Sequence, residues 1–165
     1  MIFKIDSFWL FLLIPIMCFG QIGASSSVSD EIIEIGSINL YNAMGTVNGK
    51  AKLTKANDND YLLSFQDQDF QQISSIVIVE FSATSDELDY LFNELKKTFK
   101  SPNEEFRISV GNSTLLYKLY RKKEMQITAL LDNGKSGYFT LNGAALHILF
   151  GKKWNKKEWK NYLSN

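Results

Sequence analysis

The chain has 165 residues, 45 % of them hydrophobic and 22 % charged, with 18 Lys plus Arg set against 18 Asp plus Glu; this is the composition of one folded globular domain, not of a disordered or fibrous chain. One cysteine, Cys18, and one histidine, His147, leave no material for a disulfide framework or a Cys-ligated zinc or iron–sulfur centre. The neutral total conceals two opposed blocks: residues 56–95 hold nine acidic residues and no Lys or Arg, whereas residues 96–165 hold fourteen basic and five acidic ones.

In chain order, the first feature is an export signal. Lys4 precedes an uninterrupted apolar run from Phe8 to Phe19, followed by small residues at Gly20, Gly23 and Ala24 and serines at 25–27. Basic start, apolar middle and small-residue exit are the parts of a secretory signal peptide. As a helix the run spans roughly 18 Å, short of the ~30 Å hydrocarbon core, so the mature chain is expected to carry no permanent membrane span. Residues 1–24 are read as the signal, with cleavage after Gly20 or Ala24, and 25–30 as a flexible leader. A single α+β domain is expected over 31–165. Cys18 leaves with the signal, so the mature chain lacks a thiol. A bacterial periplasmic, secreted or outer-surface location fits a disulfide-free exported domain of this size. Lipoprotein modification at Cys18 fits poorly, because Met17 is not the small residue expected before a lipidated cysteine.

Ile32 to Tyr41 is apolar and β-branched, and the Asn48-Gly49 pair predicts a two-residue hairpin turn leading into a strand at 50–56. Tyr61, Leu63 and Phe65 alternate along a third strand. Ile76 to Val79 with Phe81 is apolar on both faces, which predicts a central strand covered on both sides. Thr84 to Glu87 matches a capping box, and Leu88, Leu91, Phe92, Leu95 and Phe99 share one face of a helix over 85–100. Lys96, Lys97 and Lys100 load its last turn, and Ser101-Pro102 stops it.

Beyond Pro102 the strand period returns. Phe106, Ile108 and Val110 alternate, Gly111-Asn112 suits a type II′ turn, and Leu115, Tyr117 and Leu119 alternate on the way back. Met125, Ile127, Ala129 and Leu131 define another strand, the 132–134 Asp-Asn-Gly turn follows, and a short strand is expected around 138–141. Leu141 to Phe150 is apolar at helical spacing, with Gly151 as its left-handed cap. Asn155 with Glu158 starts a last helix, and Trp154 with Trp159 occupies the two positions of a hydrophobic staple. The expected fold class is α+β. It comprises a predominantly antiparallel sheet of about seven or eight strands in two meanders, one amphipathic helix between them and one or two C-terminal helices packed on the sheet. The two halves share the order strands-then-helix without a repeat at the level of residues.

Chemistry is sparser. Asp58, Asp60, Asp67 and Asp69 offer carboxylate oxygens to a hard cation, but the glycine and closing glutamate of a calcium loop are missing from the required offsets, and Asp is an ordinary turn residue. His147 lies in the apolar stretch 144–150 and reads as a helix residue at the core edge. No GxSxG elbow, HExxH helix, GxGxxG turn or phosphate loop occurs, so no cofactor is expected. At the C-terminal end, Lys152, Lys153, Lys156, Lys157 and Lys160 mix with Trp154 and Trp159. These residues form either a solvated cap over a stapled helix or a docking surface for anionic lipid, polysaccharide or a partner protein. Export argues against nucleic acid. The composite expectation is an exported, non-enzymatic binding domain for a protein or envelope component, the alternative being a small hydrolase with a carboxylate site.

Overall fold

Residues 32–41, 44–69, 75–121 and 123–164 are described by a computed structural model; the expected signal peptide and leader fall outside the described residues. Alternating apolar side chains become strands wherever the alternation is sustained. β1 (Ile33–Tyr41), β2 (Val47–Lys55), β3 (Asp60–Gln66) and β4 (Ile76–Ser82) form one antiparallel sheet in that order. β5 (Glu105–Val110), β6 (Ser113–Arg121), β7 (Glu124–Leu130) and β8 (Ser136–Asn142) form a second. α1 (Ser85–Lys97) continues into a 3-10 turn at Thr98–Lys100, and α2 (Gly143–Leu149) and α3 (Lys156–Ser164) follow β8. The fold is therefore α+β, with two four-stranded meanders each followed by a helix. Among the described residues, no helix is long and apolar enough to cross a membrane.

Register places the apolar residues of neighbouring strands side by side on one face. Tyr61 pairs with Phe81, Leu63 with Val79 and Phe65 with Val77, all of them buried. In the second sheet Leu115 pairs with Ala129 and Ile127 with Phe139. The two faces share one core, where the Phe65 and Phe139 rings meet at 4.5 Å between centroids. Helices are exchanged between the halves: α2 lies against β1 and β2 as well as β8, and the 3-10 turn after α1 lies against β6 and β7.

Helix ends follow the local code. Thr84 caps α1 in a complete capping box with Glu87, and Leu88, Leu91, Phe92 and Leu95 face the core. Asn142 caps α2, its Oδ1 accepting from the Ala145 N–H at 2.9 Å. At the other end Lys152 N–H donates to the His147 carbonyl and Gly151 N–H to that of Ile148, with Gly151 at φ +64°. This is the complete Schellman pattern, in which glycine relieves the Cβ penalty of left-handed backbone. At Gly111-Asn112, Gly111 has φ +58° and Asn112 does not have positive φ, the signature of the expected type II′ turn.

Two expectations are corrected. Asn48-Gly49 is not a turn: both residues lie within β2, and β1 and β2 are joined further upstream, where Gly45 adopts φ +78°. Gly49 serves another purpose, since a Cβ there would sit 2.7 Å from the Cβ of Gln66 on the neighbouring strand, an atom that no side-chain rotation moves away. The run at 76–81 is not a central strand but β4, an outermost strand of its sheet. Val77, Val79 and Phe81 face the core, whereas Ile76 and Ile78 are 66 % and 48 % exposed on the outer face. A continuous apolar run had suggested two covered faces, but only one is covered by described residues.

Candidate functional site

The C-terminal basic segment is held down by aromatic packing. Asn155 Oδ1 accepts from the N–H groups of Lys157 and Glu158 to start α3, and its amide donates to Glu158 at 2.8 Å. Trp154 and Trp159 then meet at 5.4 Å between centroids, as a staple requires. Trp159 also contacts the rings of Phe99, His147 and Tyr162, and a Cβ on Gly143 would come within 2.6 Å of its indole. The two tryptophans thus fasten α3 to α2 and to the 3-10 turn that follows α1. Of the lysines, Lys152 pairs with Asp89, joining the basic and acidic blocks. Lys153, Lys156, Lys157 and Lys160 are exposed, while Lys96 and Lys100 place their ammonium groups 4.3 and 4.2 Å from the Tyr162 ring centroid.

His147 stands among Phe92, Trp154 and Trp159, each ring 5.0–5.5 Å away. Its Nδ1 donates to the Gly143 carbonyl at 2.8 Å. A carbonyl only accepts, so the neutral ring carries its proton on Nδ1. Burial pulls its pKa below the ordinary histidine value, with Lys96 acting in the same direction. It is a core-edge helix residue, as its position in the apolar stretch implied.

The acidic pairs are not brought together. β3 begins at Asp60 and ends at Gln66, so Asp58 and Asp60 are separated from Asp67 and Asp69 by roughly 20 Å of strand. Asp60 accepts from Ser82 Oγ at 2.7 Å and from the Asn57 amide at 3.3 Å, and these bonds hold its carboxyl below the usual range. Asp67 is buried, and its Oδ1 accepts from the Asp69 and Tyr138 N–H groups. Among the described residues, no three His, Cys, Asp or Glu side chains are grouped to hold a metal ion.

The segment after β3 does more than turn. Gln68 N–H donates to the Tyr138 carbonyl, Gln68 Oε1 accepts from Thr140 N–H at 2.8 Å and Thr140 Oγ1 at 3.1 Å, and its Nε2 donates to the Tyr41 carbonyl at 3.2 Å. One buried glutamine therefore ties the end of β1 to the edge of β8. It satisfies edge groups that would otherwise invite another strand.

Beside this tie the structure opens a cleft of about 540 Å³, within the range of roughly 300–1,000 Å³ typical of small-molecule sites. Its walls include Tyr41 at the end of β1, Tyr120 and Arg121 at the end of β6, Glu124 and Gln126 on β7, and Tyr138 and Thr140 on β8. Gln126 and Thr140 are direct cross-strand partners on the outer face of the second sheet. The Arg121 guanidinium lies 5.2 Å from the Tyr120 ring centroid. Burial raises the Tyr138 hydroxyl's pKa, and the Asp69 charge and a hydrogen bond donated to that carboxylate add to the effect, so the hydroxyl stays neutral, its proton engaged in the bond to Asp69 and its oxygen left to accept. Reading along the chain missed this cleft. Its residues sit on strand faces with the ordinary polar pattern of a solvated surface, and only the β1–Gln68–β8 tie collects them.

Fold and site together define a two-meander α+β protein with exchanged helices and a tyrosine-lined, amide-rich cleft. Compared with protein-family models, curated proteins and solved structures, the chain matches none.

Proposed function

We propose that this chain is an exported, non-enzymatic binding domain. Residues 1–24 direct it to the periplasm, the cell surface or the medium, and the folded part holds an envelope component or a partner protein. The observation that carries the reading is the cleft, in which tyrosine rings and side-chain amides converge around a single carboxylate, Glu124, among the described lining residues. Side chains of this kind supply contact area and hydrogen bonds, which is binding chemistry. Acid–base hydrolysis calls for two carboxyl groups with divergent pKa values, one of them raised. Asp60, in the depression it shares with Glu80, is shifted the opposite way. The alternative of a carboxylate hydrolase has no comparable support.

The test begins with the full chain expressed in a bacterial host, cell fractionation and intact-mass analysis, followed by co-sedimentation of the processed protein with a crude envelope fraction. Loss of residues 1–20 or 1–24 and saturable sedimentation are expected. A cytoplasmic protein retaining Met1 to Gly20 would overturn export, and a processed protein that stays in the supernatant would overturn the binding role.

A further inference from the structure

We infer that the cleft takes a short neutral saccharide, an inference that rests on the binding role proposed above and specifies its ligand. Three features of the lining point to this chemistry. First, Tyr41, Tyr120 and Tyr138 come from three different strands to one cavity, and Tyr41 and Tyr120 remain 54 % and 55 % exposed. Half-exposed rings gathered at one cleft offer apolar faces on which a ligand can stack. The C–H face of a pyranose is flat, apolar and slightly positive, a match for the negative face of an aromatic ring.

Second, the polar groups between the rings supply both donors and acceptors. The Gln126 amide offers both, and beside it Thr140 and Tyr138 on the same strand face present oxygens that can accept, their protons already engaged in hydrogen bonds to Gln68 and Asp69. A sugar hydroxyl is likewise donor and acceptor at once, so such a lining satisfies it with fewer buried groups left unpaired than it would leave around a hydrocarbon. Third, the charges cancel. Arg121 and Glu124 are partners across the β6–β7 ladder, so one cation and one anion border the cleft together and favour an uncharged ligand over a phosphate or an ammonium compound. Vicinal hydroxyls suit both groups, since a guanidinium donates to two oxygens and a carboxylate accepts from two. The cleft is preorganised by Gln68, whose side chain is already committed to Tyr41 and Thr140 and needs no rearrangement on binding.

The test is isothermal titration calorimetry of the processed protein against hexasaccharides of β-1,4-glucose, α-1,4-glucose and β-1,4-N-acetylglucosamine, with a hexagalacturonate as the charged comparison. At least one neutral probe is expected to bind more tightly than about 1 mM. Tyr120→Ala should weaken that probe about three- to tenfold, the equivalent of one lost aromatic stack, and Tyr120→Phe should retain most of the affinity. Because Tyr120 is half-exposed, both variants should melt as the parent does. Absence of binding by every neutral probe, preference for the galacturonate, or unchanged affinity in Tyr120→Ala would each overturn the saccharide assignment. Co-sedimentation of the same preparation with the envelope fraction separates the two failures. If it persists, only the ligand assignment falls; if it is lost as well, the binding role falls with it.

Discussion

Gly36 is the position where the packing of the two halves is most exposed to a single methyl group. It lies on β1 at a register shift against β2, under the C-terminal turn of α2. A Cβ built there would stand 2.6 Å from the Leu149 carbonyl oxygen and closer still to that of Ile148. Both are backbone atoms, so no side-chain rotation relieves the clash, and α2 or β1 must move by more than half an ångström. Overpacking of this kind costs about 1–3 kcal/mol when the surroundings can adjust. If α2 lifts instead, Leu146 and Leu149, 0 % and 1 % exposed, lose part of their burial, which is worth roughly 1.5–3 kcal/mol for each side chain. Gly36→Ala is therefore expected to lower stability by about 3 kcal/mol or more, a large part of the roughly 5–15 kcal/mol of an ordinary domain. Gly134→Ala is the matched control: it has open space around the Cβ position and φ +77°, so it carries only the left-handed backbone penalty of about 1–2 kcal/mol. Urea titrations of the two variants beside the parent read both numbers. A Gly36→Ala protein that loses less than Gly134→Ala would show that α2 does not rest on β1 as described.

The C-terminal segment separates its two roles through paired substitutions. Trp159→Ala, which removes contacts to Phe99, His147, Trp154 and Tyr162, should cost about 3 kcal/mol or more in a melt, while Lys156→Gln with Lys157→Gln, both exposed, should leave the melt within about 0.5 kcal/mol. Salt-sensitive binding to anionic vesicles that vanishes in the double Lys variant would instead make this end a docking surface. His147 supplies a pH test: its folded pKa lies below the ordinary 6.5, so between the two values the unfolded chain binds more protons than the folded one. Stability from this group is then complete above the unfolded value and falls as pH drops from about 6.5 toward the folded pKa. The chain has one histidine, and Asp60 and Glu87, with pKa values lowered from 3.8 and 4.5, lose their contributions only in more acidic solution. Urea midpoints at pH 7.5 and 5.5 should therefore differ in the parent and converge in His147→Gln; an unchanged slope in that variant would remove His147 as the cause.

The features legible in the chain alone are ones whose cause lies within a few residues, although not every such local signal was obeyed. The capping box at Thr84–Glu87, the α1 stripe, the Gly111-Asn112 turn, the Gly151 cap and the Trp154–Trp159 staple all arise from neighbours along the chain, and all were legible. The period-two alternation likewise identified strands and, where apolar and polar residues alternate cleanly as at Tyr61, Leu63 and Phe65, their inward side. Tertiary structure decided what depends on distant partners. Asn48-Gly49 has the local form of a turn, yet the side chain that needs the missing Cβ is Gln66 on the next strand. Ile76 to Val79 reads as doubly covered because hydropathy records what a strand can bury, not what lies beside it. The cleft is the extreme case: Gln68 meets Thr140 across 72 positions, and Tyr41, Tyr120 and Tyr138 become neighbours only once the two meanders share a core. Local rules carry no information at that separation, because the free energy that sets it comes from packing whole faces together and not from any one residue's preference.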